Sequence, residues 1–231
     1  MSDSKLKVGI VGPGGIGGLL AILLSNKNTK VICNNSKIDN KRFNFKLQSK
    51  IYGNKIKKIE FSNKKLKFFD VIFICVKYQN LKKAIEKIDT KTNKIIVPLL
   101  NGLSHIDILK KKYAQKIVVA NIGKTIAYKT KGNLIIHESK NYPEINISLE
   151  NKTKLKEINF LIKTLKNIKI KINTDNLDNK VIWTKLIRIN TLSAVTALHN
   201  SNLGEIRNSN DKKEQLNSIL KETILVAKAK G

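Results

Sequence analysis

The sequence predicts an α/β protein in which a doubly wound sheet is followed by an all-helical segment. The first indication is a short apolar run, Val8 to Val11, which leads into glycines and then into apolar residues at helical spacing. Further apolar runs, typical of buried parallel strands, alternate with helical segments up to about residue 175. Beyond that point the apolar spacing is helical throughout. We therefore expect a first domain of residues 1–175 and a helical second domain of residues 176–231.

The first predicted strand and helix are joined by glycines at the spacing G-x-G-x-x-G. Gly12 permits a tight turn, Gly14 permits close approach of the backbone to a pyrophosphate, and Gly17 permits the helix to pack on the strand. The helix N-terminus offers N–H groups and the positive end of its dipole to phosphates. The alternative is a glycine-rich turn that binds no ligand. We predict a dinucleotide site, whose residues are Gly12, Pro13, Gly14, Gly15, Ile16 and Gly17.

The end of the second predicted strand, Lys30–Cys33, bears on the choice of cofactor. An NAD-binding protein places a carboxylate about 20 residues after the glycines, whereas this chain has Asn-Asn-Ser-Lys at residues 34–37. These side chains do not repel a 2′-phosphate, although Asp39 remains a competing candidate for the ribose hydroxyls. The basic residues able to pair with a 2′-phosphate are Lys37, Lys41 and Arg42. The pattern favours NADP(H), with Asn35 and Lys37 as cofactor-binding residues.

The rest of the first domain is predicted as alternating strands and helices with two hairpin segments. The lysine-rich stretch Phe43–Phe69 is expected to be irregular and hairpin-like. The stretch Tyr128–Ser148 is expected to form one hairpin that turns at Gly132-Asn133. The remaining strands are expected at Asp70–Val76, Lys94–Leu100, Ile117–Ala120 and Ile168–Ile172, and the helices at Asn80–Ile88, Ile106–Tyr113 and Lys152–Leu165.

Two polar residues follow predicted parallel strands at the point where each strand ends. Lys77 follows the run Asp70–Val76, and Asn101 follows the run Lys94–Leu100. The carboxyl ends of the strands form the ligand crevice in sheets of this kind. We therefore expect both side chains to face the cofactor, the alternatives being a solvated lysine and a turn asparagine.

The formal net charge of +28 suggests nucleic acid, but the kinds of basic residue argue against it. Only three of the 45 basic residues are arginines, and the lysines are spread along the chain with abundant Asn and Ile. Recognition of bases and phosphates favours the bidentate fork of arginine. No basic stretch is interleaved with stacking aromatics. We therefore expect a small-molecule ligand and no nucleic-acid partner, with a basic surface that steers anions by electrostatics.

The cysteines and the N-terminus indicate the compartment. Cys33 and Cys75 both lie in apolar, strand-like runs, so neither a disulfide framework nor a metal site is predicted. The N-terminal residues lack the apolar core of a signal peptide, and no apolar run approaches the roughly 20 residues needed to span a bilayer. We expect a soluble, cytoplasmic protein with no membrane partner.

Several motifs, in this order along the chain, resemble those of the ketopantoate reductase (2-dehydropantoate 2-reductase) family. They are GPGGIG at Gly12–Gly17, VKYQ at Val76–Gln79, LNGL at Leu100–Leu103, GNLIIH at Gly132–His137 and WTKL at Trp183–Leu186, with Thr196–Leu198 and Gly204-Glu205 downstream. The resemblance implies an NADP-binding Rossmann domain followed by an all-helical domain like that of 6-phosphogluconate dehydrogenase. It implies NADPH-dependent reduction of 2-dehydropantoate to pantoate, in pantothenate and coenzyme A biosynthesis, and it allows a homodimer.

The resemblance also assigns roles to individual residues. Lys185, on a predicted helix over Val181–Leu198, matches the family's proton donor. An ammonium group there can stabilise and protonate the alkoxide that hydride transfer leaves. Asn101 matches a residue that contacts nicotinamide and substrate, and Lys77 matches one near the cofactor. The substrate-binding residues expected on this basis are Asn101, Lys185, Asn190, Ser193 and Asn202.

The chain departs from the family pattern at two places. Where the family repeats asparagines at four-residue intervals after the lysine, this chain has Ile189 and Ser193, and its asparagine comes one position late, at Asn190. At about 100° per residue, Asn190 points away from the Lys185 face unless the helix bulges. A last helix is predicted over Lys212–Lys230, and the resemblance leads us to expect a C-terminally truncated chain with a partial helical domain.

These departures leave alternatives to ketopantoate reduction open. One is the reduction of another 2-oxo acid, since an apolar group replaces an expected substrate contact. The other is a non-catalytic, truncated homologue that only binds NADP(H). Both alternatives keep the predicted glycine-rich cofactor site.

Overall fold

The computed structural model describes residues 5–34, 38 and 40–230. The chain consists of two compact units, divided between Asp178 and Asn179. The described residues of the first unit form eleven strands and four α-helices. They are β1 (Leu6–Val11), α1 (Gly15–Leu24), β2 (Thr29–Asn34), β3 (Lys41–Ser49), β4 (Lys55–Ser62), β5 (Val71–Ile74), α2 (Leu81–Glu86), β6 (Ile95–Pro98), α3 (Ser104–Tyr113), β7 (Ala120–Ile122), β8 (Ala127–Lys129), β9 (Leu134–His137), β10 (Glu144–Ser148), α4 (Leu155–Asn167) and β11 (Lys171–Asp175).

Eight of these strands form one mixed sheet in the order β6-β5-β1-β2-β4-β3-β9-β8. The strands from β6 to β4 in this order run parallel to one another, whereas β3 is antiparallel to β4 and β8 is antiparallel to β9. β5 is a continuous apolar run, Val71–Ile74, and all four residues are buried, as expected for a parallel strand covered on both faces. The loops after β1, β5 and β6 therefore leave the sheet at the same edge.

Helix α1 packs against the main sheet and contributes to its hydrophobic core. Its residues from Gly17 to Leu24 are all buried, which is typical of a helix that is apolar on every side. It contacts β1 and β2, and also β3, β4, β8 and β9 farther along the sheet. The sheet therefore curves around α1. Close packing needs a glycine at Gly18, because a Cβ there would lie 2.5 Å from Cδ1 of Ile135.

The stretch expected to be irregular, Phe43–Phe69, contains a regular hairpin that belongs to the main sheet. β3 and β4 pair in antiparallel register, with Phe43 opposite Ile59, and β4 pairs in parallel with β2. Phe45, Leu47 and Ser49 are buried while Lys46 and Gln48 between them are exposed. This alternation has the period of two expected of a strand. The prediction of a hairpin is confirmed, and the prediction of irregular structure was wrong, because the alternating residues Phe43, Phe45 and Leu47 form a regular strand despite the many lysines nearby.

A second, three-stranded sheet has the order β11-β10-β7, with β10 parallel to β11 and antiparallel to β7. The predicted hairpin that turns at Gly132-Asn133 is confirmed, but it ends at His137 and does not extend to Ser148. β8 and β9 form the hairpin and pair within the main sheet, whereas β10 joins the second sheet. The difference arises because β10 finds its partners in β7 and β11, which are separated from it along the chain.

Two predicted strands are displaced along the sequence. The strand expected at Ile168–Ile172 begins only at Lys171, because α4 continues to Asn167. The strand expected at Ile117–Ala120 instead begins at Ala120, while Ile117 makes an isolated bridge to Ile96. Helices α2, α3 and α4 lie where helices were predicted.

In the described residues of the second unit, all the regular secondary structure is helical. The chain enters it on α5 (Asp178–Leu198), which is followed by α6 (Leu203–Arg207) and α7 (Asn210–Ala229). In the described part of the chain, no helix is both long and apolar enough to cross a membrane. The predicted fold class, an α/β sheet domain followed by a helical region, is confirmed.

Candidate active site

The loop between β1 and α1 has the backbone that its glycines predict. Gly12 has φ of +91°, in the left-handed region that favours glycine. A Cβ at Gly12 would also lie 2.7 Å from Cγ1 of Val76 and 2.8 Å from the carbonyl oxygen of Cys75. The N–H of Gly14 donates to the carbonyl oxygen of Gly12 at 2.8 Å, which closes the turn. The first glycine of the fingerprint is therefore required both by conformation and by space.

The second and third glycines of the fingerprint differ in their surroundings. Gly14 is exposed, and no atom lies within 4 Å of where its Cβ would be. At Gly17, by contrast, a Cβ would collide with the carbonyl oxygen of Gly12 and would lie 3.2 Å from Cβ of Cys75. Open space therefore faces the start of α1, where the first-turn N–H groups have no partner within the helix. These features fit the pyrophosphate of a dinucleotide, which needs close approach to backbone N–H groups.

The other loop residues predicted to bind cofactor face the protein interior more than Gly14 does. Pro13, Gly15 and Ile16 are each partly buried. A Cβ at Gly15 would collide with the carbonyl of Ala127 in β8. The hairpin of β8 and β9 therefore packs directly against the start of α1 and holds the loop in place.

Lys77 and Asn101 lie at the same edge of the sheet as the glycine loop. Lys77 is exposed just after β5, at the start of a short 3₁₀ turn over Tyr78–Asn80. Asn101 is exposed just after β6 and precedes Gly102, whose φ is +90°. Because β1, β5 and β6 are parallel neighbours, these loops share the crevice where such sheets bind ligands.

The cofactor-selecting positions after β2 fall partly outside the described residues. Asn35, Ser36, Lys37 and Asp39 lie outside them. Asn34 ends β2, and its side-chain amide donates to the carbonyl oxygen of Lys64 at 2.9 Å. Lys41 is exposed at the start of β3, next to the end of β4. The guanidinium of Arg42 lies 3.5 Å from the carboxylate of Glu60, so Arg42 already has an anionic partner.

Lys185 lies in the middle of α5 and is partly buried. Burial, and to a smaller extent the positive charge of Arg188, lower the pKa of its ammonium from 10.5 to about 8. A lysine with this pKa can both hold and release a proton near neutral pH, which is what a general acid requires.

The polar positions after Lys185 divide between two faces of α5. The helix is a regular α-helix from Asp178 to Leu198, so Ser193 lies about 80° around the axis from Lys185 and Asn190 about 140°. Ser193 is exposed. The side-chain amide of Asn190 instead donates to Oγ1 of Thr223 in α7 at 3.1 Å. The bulge that would turn Asn190 toward Lys185 does not form.

Asn202 has a local structural role that the sequence reading missed. Its side-chain oxygen accepts hydrogen bonds from the N–H groups of Gly204 at 2.9 Å and Glu205 at 3.1 Å. Its own N–H donates to the carboxylate of Glu205 at 3.0 Å. This is a capping box at the start of α6. The spacing N-x-x-E was the sequence signal that could have predicted both the cap and this short helix.

Arg188 was also missed as a candidate. It is partly buried, three residues after Lys185 on the same helix, and its charge acts on the lysine. The sequence signal is the i, i+3 spacing, which places two side chains on neighbouring positions of one face. Among the described residues, no group of three or more His, Cys, Asp and Glu side chains is arranged to hold a metal ion.

Family models match most of the chain. The model described as ketopantoate reductase PanE/ApbA matches residues 8–149, and the model described as ketopantoate reductase PanE/ApbA C terminal matches residues 179–231. The first match alone covers more than half of the sequence and includes the glycine loop, Lys77 and Asn101. The second includes Lys185 and Arg188. No curated protein sequence is significantly similar to the chain.

Solved structures of low sequence identity share the fold. The 2-dehydropantoate 2-reductase from Porphyromonas gingivalis W83 is 16% identical, with a TM-score of 0.77 over 95% of this chain and 80% of that one. A D-mandelate dehydrogenase, in a ternary structure with NADH and anilino(oxo)acetate, is 17% identical, with a TM-score of 0.78 over 97% of this chain and 74% of that one. The dimeric ketopantoate reductase from Staphylococcus aureus is 20% identical, with a TM-score of 0.73 over 98% and 74% of the two chains. With the glycine loop, the sheet order and the two family matches in agreement, the chain belongs to the ketopantoate reductase PanE/ApbA family.

Proposed function

We propose that this protein reduces a 2-oxo acid with NADPH and that its substrate is 2-dehydropantoate, which becomes pantoate. The observation that carries the proposal is Lys185, a partly buried lysine on α5 with its pKa lowered to about 8. Most of the other described lysines are exposed. The family match and the glycine loop support the cofactor half of the proposal.

The first unit would hold the cofactor. The N–H groups at the start of α1 bind the pyrophosphate, and Gly14 leaves the space for it. Lys77 and Asn101, at the same sheet edge, contact the nicotinamide half, and Asn101 also contacts the substrate. Bound NADPH supplies the hydride that reduces the keto carbon.

Lys185 would act on the oxygen of the same carbonyl group. Its ammonium donates a hydrogen bond to the keto oxygen and stabilises the negative charge that develops there. One proton then moves from Nζ to the alkoxide, which leaves a hydroxyl group and a neutral amine. The amine takes up a proton from water before the next turnover. Ser193 lies on the neighbouring part of this face and would bind the substrate, as would Asn190 and Asn202 through any hydrogen-bonding groups left free by their structural contacts.

The preference for NADPH over NADH is part of the proposal. The described end of β2 is Asn34, and the exposed ammonium of Lys41 lies at the same sheet edge. Asn35 and Lys37 complete the proposed 2′-phosphate site. The division into a cofactor domain of residues 1–175 and a substrate domain of residues 176–231, and assembly as a homodimer, are also inferred.

A second substrate class is favoured by one observation. Ile189 places an apolar group where the family pattern expects an asparagine, and the solved D-mandelate dehydrogenase shares this fold. A 2-oxo acid with a more apolar side chain is therefore the alternative substrate.

The test is NADPH oxidation followed by absorbance with a panel of substrates. The panel contains 2-dehydropantoate, 2-oxo acids with aliphatic side chains and phenylglyoxylate. We expect 2-dehydropantoate to have the highest kcat/KM. Lys185→Ala should lower kcat by about 10²- to 10⁴-fold while NADPH affinity, measured by fluorescence, stays nearly unchanged. Lys213→Ala, which removes an exposed lysine of α7, is the matched control. Turnover of Lys185→Ala at the wild-type rate, with NADPH affinity lost instead, would reassign Lys185 to cofactor binding.

A further inference from the structure

A second positive charge, that of Arg188, lies beside Lys185. Arg188 follows Lys185 by three residues on α5, and both side chains are partly buried. Residues at this spacing are neighbours on a helix surface, with Cβ atoms about 5–6 Å apart. The charge of Arg188 lowers the pKa of Lys185, which agrees with this proximity.

Among the described residues, no ion pair to either side chain offsets the repulsion between these two charges. Like charges one turn apart destabilise a helix, and removal from water makes each charge more costly. After Asp178, α5 contains no acidic residue, and Asp178 itself pairs with Lys110 at 2.6 Å. Among the described residues, no acidic side chain forms an ion pair with Arg188, whereas Arg42 has Glu60. An anionic ligand would relieve this repulsion.

That residue 188 is an arginine, and not merely a cation, is also informative. The chain has 45 basic residues, of which only three are arginines. A guanidinium differs from an ammonium in its planar fork, which binds a carboxylate through two parallel hydrogen bonds. A 2-oxo acid carries a carboxylate bonded directly to the carbonyl carbon that is reduced. Lys185 is therefore suited to bind the ketone oxygen, and Arg188 is suited to bind the carboxylate.

The other positions that follow Lys185 on α5 supply no second cation for the substrate carboxylate. Ile189 has no hydrogen-bonding group, and the amide of Asn190 is engaged by Thr223 of α7. Ser193 is uncharged and lies two turns farther along the helix. Arg188 is the cation next to Lys185 on this face.

We propose that Arg188 binds the carboxylate of the substrate, while Lys185 binds and protonates the neighbouring keto oxygen. The inference rests on the proposed function, because it assumes that Lys185 acts on a 2-oxo acid. Arg188 then determines specificity: it selects a carboxylate next to the ketone and rejects the uncharged analogue. The expected loss without the guanidinium is that of a charged, bidentate hydrogen bond, about 10- to 100-fold in kcat/KM.

The experiment compares 2-dehydropantoate with its primary carboxamide, which keeps the ketone and loses the charge. The variants are Arg188→Met, which keeps an unbranched apolar side chain without the guanidinium, Arg188→Lys, which keeps the charge without the fork, and the control Arg207→Met, which removes an exposed arginine of α6. For wild type and Arg207→Met we expect strong preference for the acid. For Arg188→Met we expect kcat/KM for the acid to fall about 10- to 100-fold, mainly through KM, while the value for the amide changes less than about threefold. Arg188→Lys should fall between them.

Equilibrium binding separates this inference from the proposed function. Calorimetric titration of pantoate and pantoamide into the protein with NADP⁺ needs no turnover. Selective loss of pantoate binding in Arg188→Met, but not in Arg207→Met, supports the role of Arg188 even if wild type fails to oxidise NADPH. If wild type reduces 2-dehydropantoate and Arg188→Met keeps the same preference for acid over amide, the role of Arg188 is refuted and the proposed function stands. If wild type neither reduces the acid nor binds pantoate, both are refuted.

Discussion

The pH dependence of reduction tests the role of Lys185 most directly. Burial and the charge of Arg188 lower the pKa of Lys185 to about 8. The protonated form is the acid that donates to the alkoxide, so reduction requires the ammonium. We therefore expect kcat/KM for reduction, which reports the pKa values of the enzyme before substrate binds, to fall as the pH rises through about 8.

The magnitude follows from the fraction of protonated lysine. With a pKa of about 8, about nine tenths of the lysine is protonated at about pH 7 and about one tenth at about pH 9. The value of kcat/KM for reduction should therefore decrease about tenfold between these two pH values. A lysine at its ordinary pKa of about 10.4 would remain more than about 95% protonated over the same range and would produce almost no change.

The assay is NADPH oxidation at saturating cofactor and at 2-oxo acid concentrations well below KM, at constant ionic strength. The reverse reaction, oxidation of the hydroxy acid by NADP⁺, should show the opposite slope because it requires the neutral amine. Lys185→Arg serves as the control, since an arginine does not titrate in this range; it should lose most turnover and the pH dependence with it. A flat wild-type profile up to pH of about 10 would refute the reasoning, because it would give Lys185 an ordinary pKa or no role in proton transfer.

Four further predictions follow from the described contacts. Gly14→Asp should leave thermal stability nearly unchanged, because no atom lies within 4 Å of the new Cβ, yet weaken NADPH binding about 100-fold by repelling the pyrophosphate; equal affinity by fluorescence titration would contradict the placement of the phosphates. Lys41→Glu should weaken NADPH binding but change NADH affinity less than about twofold, and parallel loss of both would remove Lys41 from the 2′-phosphate site. Burial lowers the pKa of His137, so the unfolded chain takes up the proton first, and the free energy of unfolding should decrease as the pH falls below about 6.5. Urea unfolding of His137→Gln should show a smaller decrease over the same pH range. An equal decrease in this variant would show that His137 is not its cause. Asn202→Ala should lower the free energy of unfolding by about 1 kcal/mol through loss of the α6 cap, and an unchanged urea midpoint would show that the capping box contributes nothing.

The amino-acid sequence by itself determined the features that depend on local pattern. The path from β1 through the glycine loop to α1 could be predicted because turn conformation and helix spacing are set by residues close together in the chain. The same holds for β5, β6 and α5, whose apolar periods are continuous, and hence for the positions of Lys77, Asn101 and Lys185 on their elements. The resemblance of these ordered motifs also predicted the family.

The tertiary structure alone decided the features that depend on contacts between distant parts of the chain. β10 pairs with β7 and β11 rather than with β9, and β4 joins the main sheet beside β2. No local signal specifies which strands pair, because pairing is decided by burial of whole faces and by non-local hydrogen bonds. The same reason applies to side chains: only packing of α5 against α7 engages Asn190 with Thr223. The lowered pKa of Lys185 likewise needs burial in the folded chain. The sequence predicts that Lys185 is a lysine on a helix. Its pKa is lowered only in the folded chain, where the ammonium is partly removed from water and lies beside the charge of Arg188.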